Sequence, residues 1–223
     1  MEAVTHEFIE GAEIFMDVAI TTNADWREED GGRVGLWLFI LSEILLFGAF
    51  LASYIGTRLG NSECALGVVV WPDAGHLPGL ALAALNTVIL LTSSYTMVRA
   101  IVRAERGDRA GFRANMAATI ILGLGFLAVK SAEYALKVSH GYYPGSELAK
   151  ASPGLSIFLS YYYGLTILHA LHIVAGLIWN GVACYASADA PMPAVARRAE
   201  YAGLYWHFVD VVWVFLFPLL YLI

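Results

Sequence analysis

Five long apolar runs, separated by short polar stretches, dominate the chain. They cover residues 34–57, 77–98, 116–138, 155–186 and 201–223. Each run is long enough to cross the hydrocarbon core of a bilayer, which takes about 20 helical residues. The apolar residues are continuous and do not alternate with polar ones, which argues against barrel strands. The pattern therefore predicts an all-α polytopic membrane protein, in which residues 33–223 form a bundle of five transmembrane helices.

The first thirty residues differ in character from the rest of the chain. They contain nine acidic residues and a single basic one, Arg27. A secretory signal peptide begins with basic residues followed by an apolar core, and this segment has neither feature. We therefore expect residues 1–32 to form an acidic cytoplasmic segment ahead of the first membrane helix.

The composition agrees with a membrane location. Of the 223 residues, 59% are hydrophobic and 14% are charged, whereas soluble domains carry about 25% charged residues. The composition therefore argues against a water-soluble fold. The formal net charge of −6 leaves no basic excess to neutralise phosphates, which argues against nucleic-acid binding. The two cysteines, Cys64 and Cys184, are too few for a disulfide scaffold or a four-thiolate metal site.

The positions of Lys and Arg predict the orientation of the helices. Nine of these residues lie at the ends of the runs on the N-terminal side of the membrane, and three lie at the opposite ends. Because basic residues are enriched on the cytoplasmic side, we expect a cytoplasmic N-terminus and a C-terminus outside. Cys64 and Cys184 then lie near opposite membrane faces, too far apart for a disulfide.

Ionisable residues occur inside the apolar runs, where insertion costs about 2.5–3.5 kcal/mol for each charge. Glu43 stands alone in the first run. It is either a titrating carboxylate that faces a helix or a lipid headgroup, or a neutral acid that makes one interhelical hydrogen bond. Lys130 and Glu133 are three residues apart and are therefore neighbours on one helix face. A mutual ion pair is favoured over a proton relay.

Histidines mark the fourth and fifth runs. His169 and His172 share a helix face, and such a pair can ligate haem or a metal. The sequence has no comparable pair on a second helix, so hydrogen bonds from these histidines to other helices are favoured. In the fifth run, Glu200, His207 and Asp210 lie along one stripe, and His207 and Asp210 are spaced to pair. Because no Ser or Cys nucleophile is suitably placed, packing and proton accommodation are favoured over hydrolysis.

Two further features concern helix packing and the membrane surface. Asn86 and Ser93 predict a polar seam on the second helix, of the kind that holds membrane helices together. Arg197 and Arg198 precede the fifth run and are candidates to bind lipid phosphate, although the positive-inside rule also explains them. The candidates for proton or lipid contacts inside the membrane are the polar residues Glu43, Lys130, Glu133, His169, His172, Glu200, His207 and Asp210.

Five motifs, in order along the chain, carry a resemblance to a known family. They are LFILSE, LNTVILLTSS, GFLAVKSAEY, HALHIVAG and YWHFVDVVWVFLF. Together they resemble subunit III of the haem–copper terminal oxidases in its five-helix form, over residues 35–223. Two features differ from the mitochondrial form of the family. The acidic segment replaces two N-terminal helices, and Lys130 stands where glutamine is usual, which indicates a bacterial branch.

The resemblance implies a function by analogy. It implies a non-catalytic subunit of a proton-translocating cytochrome c oxidase in the bacterial cytoplasmic membrane, packed against catalytic subunit I. Haem and copper are expected in partner subunits, and this chain is expected to bind no cofactor of its own except phospholipid. The expected roles are support of proton uptake and stabilisation of the complex during turnover. A quinol oxidase subunit III and an accessory subunit of nitric oxide reductase are alternatives, and a small proton-coupled transporter is an alternative of another class.

Overall fold

The computed structural model describes residues 2–60 and 79–222, and the side chains of residues 31–60 and 79–222. Six helices account for most of this part of the chain: α1 (Glu2–Gly60), α2 (Leu80–Glu105), α3 (Arg109–Ser139), α4 (Glu147–Ala151), α5 (Pro153–Ala186) and α6 (Met192–Tyr221). No strand occurs among the described residues. The predicted all-α class is therefore confirmed.

Five of these helices are long and apolar enough to cross a membrane. The spans are Gly31–Gly60, Leu80–Glu105, Arg109–Ser139, Pro153–Ala186 and Met192–Tyr221. Each predicted run overlaps a different span, so the predicted number of membrane helices is confirmed. The short helix α4 lies between the third and fourth spans and was not predicted, because five residues are too few to show a periodic pattern.

The helices α3 and α6 begin several residues before the apolar runs that predicted them. Asp108 caps α3, and its carboxylate accepts a hydrogen bond of 2.8 Å from the Gly111 amide. A proline in the first turn of α6 is compatible with a helix start, because its missing N–H has no partner in the helix at that position. Apolar runs mark the part of a helix inside lipid, whereas these caps lie in the polar turns beyond it.

Two compact units are distinguished along the chain, Met1–Ile44 and Leu45–Ile223. In the first unit, α1 is continuous through residues 32 and 33, where the sequence predicted a boundary between an acidic segment and the first membrane helix. That change in composition therefore does not interrupt the helix.

In the second unit, α6 is the central helix. It packs against α2 and α5, and α3 packs against α2 and α5. More than half of the apolar window of α6 is buried, compared with a third or less for the other four spans. This position explains why the buried side chains of α6 include the bulky residues Trp206, Trp213 and Tyr221.

Glycines let the helices approach α6 closely. A Cβ atom on Gly123 of α3 or on Gly176 of α5 would lie 2.8 Å from ring atoms of Trp206. Small residues at such positions allow close packing of membrane helices. The missing side chain of Gly176 thus makes room for the Trp206 ring.

The turn between α2 and α3 is held by ionic and hydrogen-bonding contacts. Arg103 pairs with Asp108 at 2.8 Å. The Arg109 guanidinium donates hydrogen bonds to the backbone carbonyls of Ala188, and of Ala190 at 2.8 Å, which connects this turn to the segment before α6. The Gly111 amide and the Arg103 guanidinium lower the pKa of Asp108 below its ordinary value of 3.8.

Candidate functional site: buried polar clusters of the helix bundle

A charged cluster lies inside the bundle, and we define it by Lys130, Glu133 and Lys137 of α3, Tyr162 of α5 and Tyr221 of α6. These five residues are at most 3% exposed. They meet because the last turns of α3 and α6 lie beside the first turns of α5. The cluster therefore occupies one end of the bundle, the end that the distribution of Lys and Arg predicts to face outwards.

The Glu133 carboxylate is the centre of this cluster. Lys130 Nζ lies 3.0 Å from one carboxylate oxygen. The other oxygen accepts hydrogen bonds from the hydroxyls of Tyr162 at 2.6 Å and Tyr221 at 2.8 Å, and Lys137 Nζ lies 3.7 Å from it. The ion pair predicted from the spacing of Lys130 and Glu133 is thus formed, and it has more partners than the spacing alone indicated.

Gly79, the residue that precedes α2, packs closely against the Glu133 side chain. Its φ angle is +115°, and a Cβ atom at this position would lie 2.8 Å from Glu133 Cγ. Glycine adopts this backbone conformation without a steric penalty. The close approach explains how a charged side chain in the bundle becomes fully buried.

Aromatic rings surround the Lys130 ammonium. Its Nζ atom lies 5.0–5.3 Å from the ring centroids of Tyr134, Tyr162, Trp213 and Tyr221. It also donates hydrogen bonds to the hydroxyls of Tyr162, at 3.1 Å, and Tyr221. Aromatic faces attract a cation most strongly where water is excluded. Sequence reasoning missed this cage, because three of its four rings come from α5 and α6, which are remote from Lys130 along the chain.

The predicted histidine pair does not form a shared site. His169 is 1% exposed, stacks on Trp213 at 5.3 Å, and meets the edge of Phe126 at 5.7 Å. Within the described part of the chain, neither ring nitrogen of His169 has a hydrogen-bond partner. The predicted hydrogen bond from His169 to another helix was therefore wrong, because aromatic rings occupy the neighbouring positions.

His172 has different neighbours from His169. Its Nδ1 atom lies 2.8 Å from the Leu168 carbonyl of its own helix, and its ring meets Phe47 of α1 at 5.1 Å. The predicted hydrogen bond to another helix is thus replaced at Nδ1 by one within α5. Among the described residues, no group of three or more His, Cys, Asp or Glu side chains is placed to hold a metal ion.

The histidine and aspartate of α6 also have separate environments. His207 Nδ1 lies 2.7 Å from the Ser94 hydroxyl of α2. In the described part of the chain, neither carboxylate oxygen of Asp210 has a hydrogen-bond partner. The predicted pairing of His207 with Asp210 was therefore wrong, because the His207 ring turns towards α2.

The polar seam predicted for α2 is formed in part. The Ser93 hydroxyl accepts a hydrogen bond of 3.1 Å from the Trp206 indole, and Thr87 accepts one of 3.0 Å from the Trp213 indole. Asn86 is fully buried, and its amide has no hydrogen-bond partner among the described residues. Sequence reasoning identified the seam on α2 but missed the two tryptophans of α6 that bind to it.

The remaining candidates lie away from the charged cluster or in the other unit. Arg197 and Arg198 are exposed and Glu200 is half-buried in the first turns of α6, at the opposite end of that helix from Tyr221. Glu43 is half-buried in α1 and belongs to the first unit. Of the two cysteines, Cys184 is a free thiol, and Cys64 lies outside the described residues.

Comparison with known proteins gives a consistent result over nearly the whole chain. The sequence model of the family described as cytochrome c oxidase subunit III matches residues 2–223. Cytochrome c oxidase subunit 3 of Alkalihalophilus pseudofirmus is 33% identical over 190 residues, which is 85% of each chain. Cytochrome bo(3) ubiquinol oxidase subunit 3 of Pseudomonas putida is 30% identical over 201 residues, 87% of this chain and 88% of that one.

A third relative, quinol oxidase subunit 3 of Bacillus spizizenii, is 31% identical and covers 89% of this chain and 91% of its own. The family match, the five apolar helices and the order of the motifs all agree. This chain is an integral membrane protein that belongs to the cytochrome c oxidase subunit III family.

Proposed function

We propose that this chain is the non-catalytic subunit III of an aerobic respiratory terminal oxidase in the bacterial cytoplasmic membrane. The observation that carries the proposal is the family match from residue 2 to residue 223. In this role the chain packs against catalytic subunit I, and haem and copper belong to the partner subunits. The separate environments of His169 and His172 support a structural role for these histidines, since the pair does not offer two ligands to one metal.

The electron donor of the complex is cytochrome c or a quinol. Identity does not separate the two classes, because the relatives named as subunits of cytochrome c oxidase and of quinol oxidase are 33%, 30% and 31% identical to this chain. We place cytochrome c first because the family description names it. A quinol oxidase is the second candidate.

We further propose that Glu43 supports proton uptake into the complex or contacts a phospholipid headgroup, and that Arg197 and Arg198 bind lipid phosphate. An acidic residue inside an apolar membrane helix is costly to insert, so its presence points to a functional role. Exposed arginines near the predicted cytoplasmic surface attract anionic lipid. The variant Glu43→Gln should therefore make the oxidase lose activity sooner during turnover. An unchanged turnover rate together with unchanged inactivation would remove this role.

Purification of the chain from its own membranes in mild detergent tests the main proposal. We expect it to co-purify with a large multi-span subunit and to show the reduced-haem spectrum of that complex. Oxygen consumption with reduced cytochrome c, and separately with a quinol, then identifies the donor. A stoichiometric haem on the isolated chain would contradict the non-catalytic assignment. An isolated chain that moves protons after reconstitution into vesicles would favour a transporter instead.

A further inference from the structure

Three buried polar side chains lie around Trp213 in the middle of the bundle. Asn86 of α2, His169 of α5 and Asp210 of α6 are 0%, 1% and 6% exposed. His169 stacks on the Trp213 ring at 5.3 Å, and Asp210 lies one helical turn before Trp213. Asn86 immediately precedes Thr87, which accepts the hydrogen bond of the Trp213 indole. Residues of three helices thus bring buried polar groups to the surroundings of Trp213.

None of these three side chains has a hydrogen-bond partner among the described residues, although each carries two polar atoms. The Ser94 hydroxyl lies beside Asp210, but its short hydrogen bond is with His207. A buried polar group without a partner costs about 1–3 kcal/mol. Lipid supplies no donors or acceptors, so these three residues require partners inside the bundle.

We propose that Asn86, His169 and Asp210 each bind internal water molecules around Trp213. A buried water typically makes about three hydrogen bonds to polar groups that otherwise lack partners. The amide of Asn86 and the imidazole of His169 offer donors and acceptors, and the carboxyl group of Asp210 offers further acceptors. The site can therefore hold water in the interior of a bundle whose outer surface is apolar.

The water site adjoins the charged cluster through one shared ring. Trp213 contacts His169, and the Lys130 ammonium lies 5.2 Å from the centroid of the Trp213 ring. From Asp210 to Tyr221 the inner face of α6 therefore carries polar contacts along about 17 Å, at 1.5 Å for each residue. Hydration at the Asp210 end gives the buried carboxyl group and imidazole a route for exchanging protons.

X-ray radiolysis of the purified complex in ¹⁸O-labelled water tests this site, because hydroxyl radicals form at bound water and label adjacent side chains. Trp213 and Phe126 are the reporters: they are 1% and 0% exposed, and each contacts His169. Met116 and Phe112 are the controls, because both are 0% exposed and lie near the start of α3. We expect labelling of Trp213 and Phe126 severalfold above both controls. Labelling no faster than in Met116 and Phe112 would overturn the proposal.

A matched pair of variants tests the assignment to His169. His169→Phe keeps a ring against Trp213 but removes both nitrogens, and it should lower the labelling of Trp213 severalfold. His172→Phe, one turn away on the same helix, should leave that labelling unchanged. Unchanged labelling in His169→Phe would contradict the role of His169. If His169→Phe fails to assemble, the labelling of Trp213 and Phe126 relative to Met116 and Phe112 in the unmodified chain still decides the proposal. This test does not depend on which electron donor the complex uses.

Discussion

Two lysine–glutamate pairs in this chain have the same spacing of three residues but different surroundings. Lys130 and Glu133 lie 3.0 Å apart, with side chains 3% and 0% exposed. Glu147 and Lys150 of α4 lie 2.7 Å apart, with side chains 90% and 63% exposed. The exposed pair is the closer one, although water screens its attraction. Distance alone therefore does not indicate how much an ion pair contributes to stability.

Burial changes what happens when one partner of a pair is removed. In water, a lone charge is solvated again at little cost. In the charged cluster, a lone ammonium would stay buried among aromatic rings, because Gly79 and the surrounding helices leave no room for bulk solvent. The contribution of the buried pair is thus mainly the penalty for leaving its partner unpaired.

The largest effect is expected from Glu133→Gln. The substitution keeps the side-chain volume but leaves Lys130 and Lys137 without the carboxylate, so the free energy of unfolding should fall by about 3–5 kcal/mol. Thermal unfolding of the detergent-solubilised complex measures this loss. Glu147→Gln, the same substitution in the exposed pair, is the control and should leave the unfolding temperature unchanged. Equal effects of the two substitutions would contradict the distinction between the pairs.

A second substitution sharpens this comparison. Lys130→Met in the Glu133→Gln background removes one uncompensated cation while retaining an apolar chain of similar length. The double variant should be more stable than Glu133→Gln alone, with a coupling of about 2 kcal/mol in a double-mutant cycle. Strictly additive effects of the two substitutions would show that the pair does not act as a unit.

A smaller effect is expected when one hydroxyl is removed from the cluster. Tyr221→Phe removes the hydrogen bond of 2.8 Å to Glu133 and should cost about 1.5–3 kcal/mol, since the acceptor is charged. Tyr161→Phe is the matched control: it removes the hydroxyl of a half-buried tyrosine, which contacts Ser53 at 2.8 Å and Thr57 at 3.2 Å. The unfolding temperature should fall further in Tyr221→Phe than in Tyr161→Phe, and the reverse order would contradict the role of the buried carboxylate.

The smallest effect concerns the exposed turn between α2 and α3. Because the Gly111 amide and Arg103 lower the pKa of Asp108 in the folded chain, ionised Asp108 stabilises the fold above its ordinary pKa of 3.8. That stabilisation is lost as the pH falls through the lowered folded pKa. Asp108→Asn should therefore unfold at a slightly lower temperature at neutral pH.

The difference between Asp108→Asn and the unmodified chain should disappear in acid. Unfolding temperatures measured from about pH 6 down to about pH 2 extend well below the ordinary pKa of the carboxyl group. A difference that stays constant over this range would show that the charge of Asp108 contributes nothing and that only its shape as a helix cap matters.

The membrane helices and one ion pair were predictable from local pattern. Apolar runs of about 20 residues leave the backbone no alternative to a helix in lipid, which is why each run overlaps one span. The pairing of Lys130 with Glu133 follows directly from their spacing of three residues on one helix. Helix ends were predicted less well, since caps such as Asp108 lie in polar turns outside the membrane.

Side-chain partners on different helices were not predictable in the same way. The sequence placed His207 and Asp210 one turn apart, but the tertiary structure turned His207 towards Ser94. It also placed His169 against Trp213, where no protein donor or acceptor is within reach among the described residues.

Composition and periodicity by themselves determined that this chain spans the membrane as helices, and its motifs identified the family. The tertiary structure alone decided which buried polar groups have partners. Helix formation in lipid depends on bonds between residues four apart, which the sequence specifies directly. The environment of a charge depends on residues such as Gly79, Tyr162 and Tyr221, whose positions around Glu133 are set by how separate helices pack.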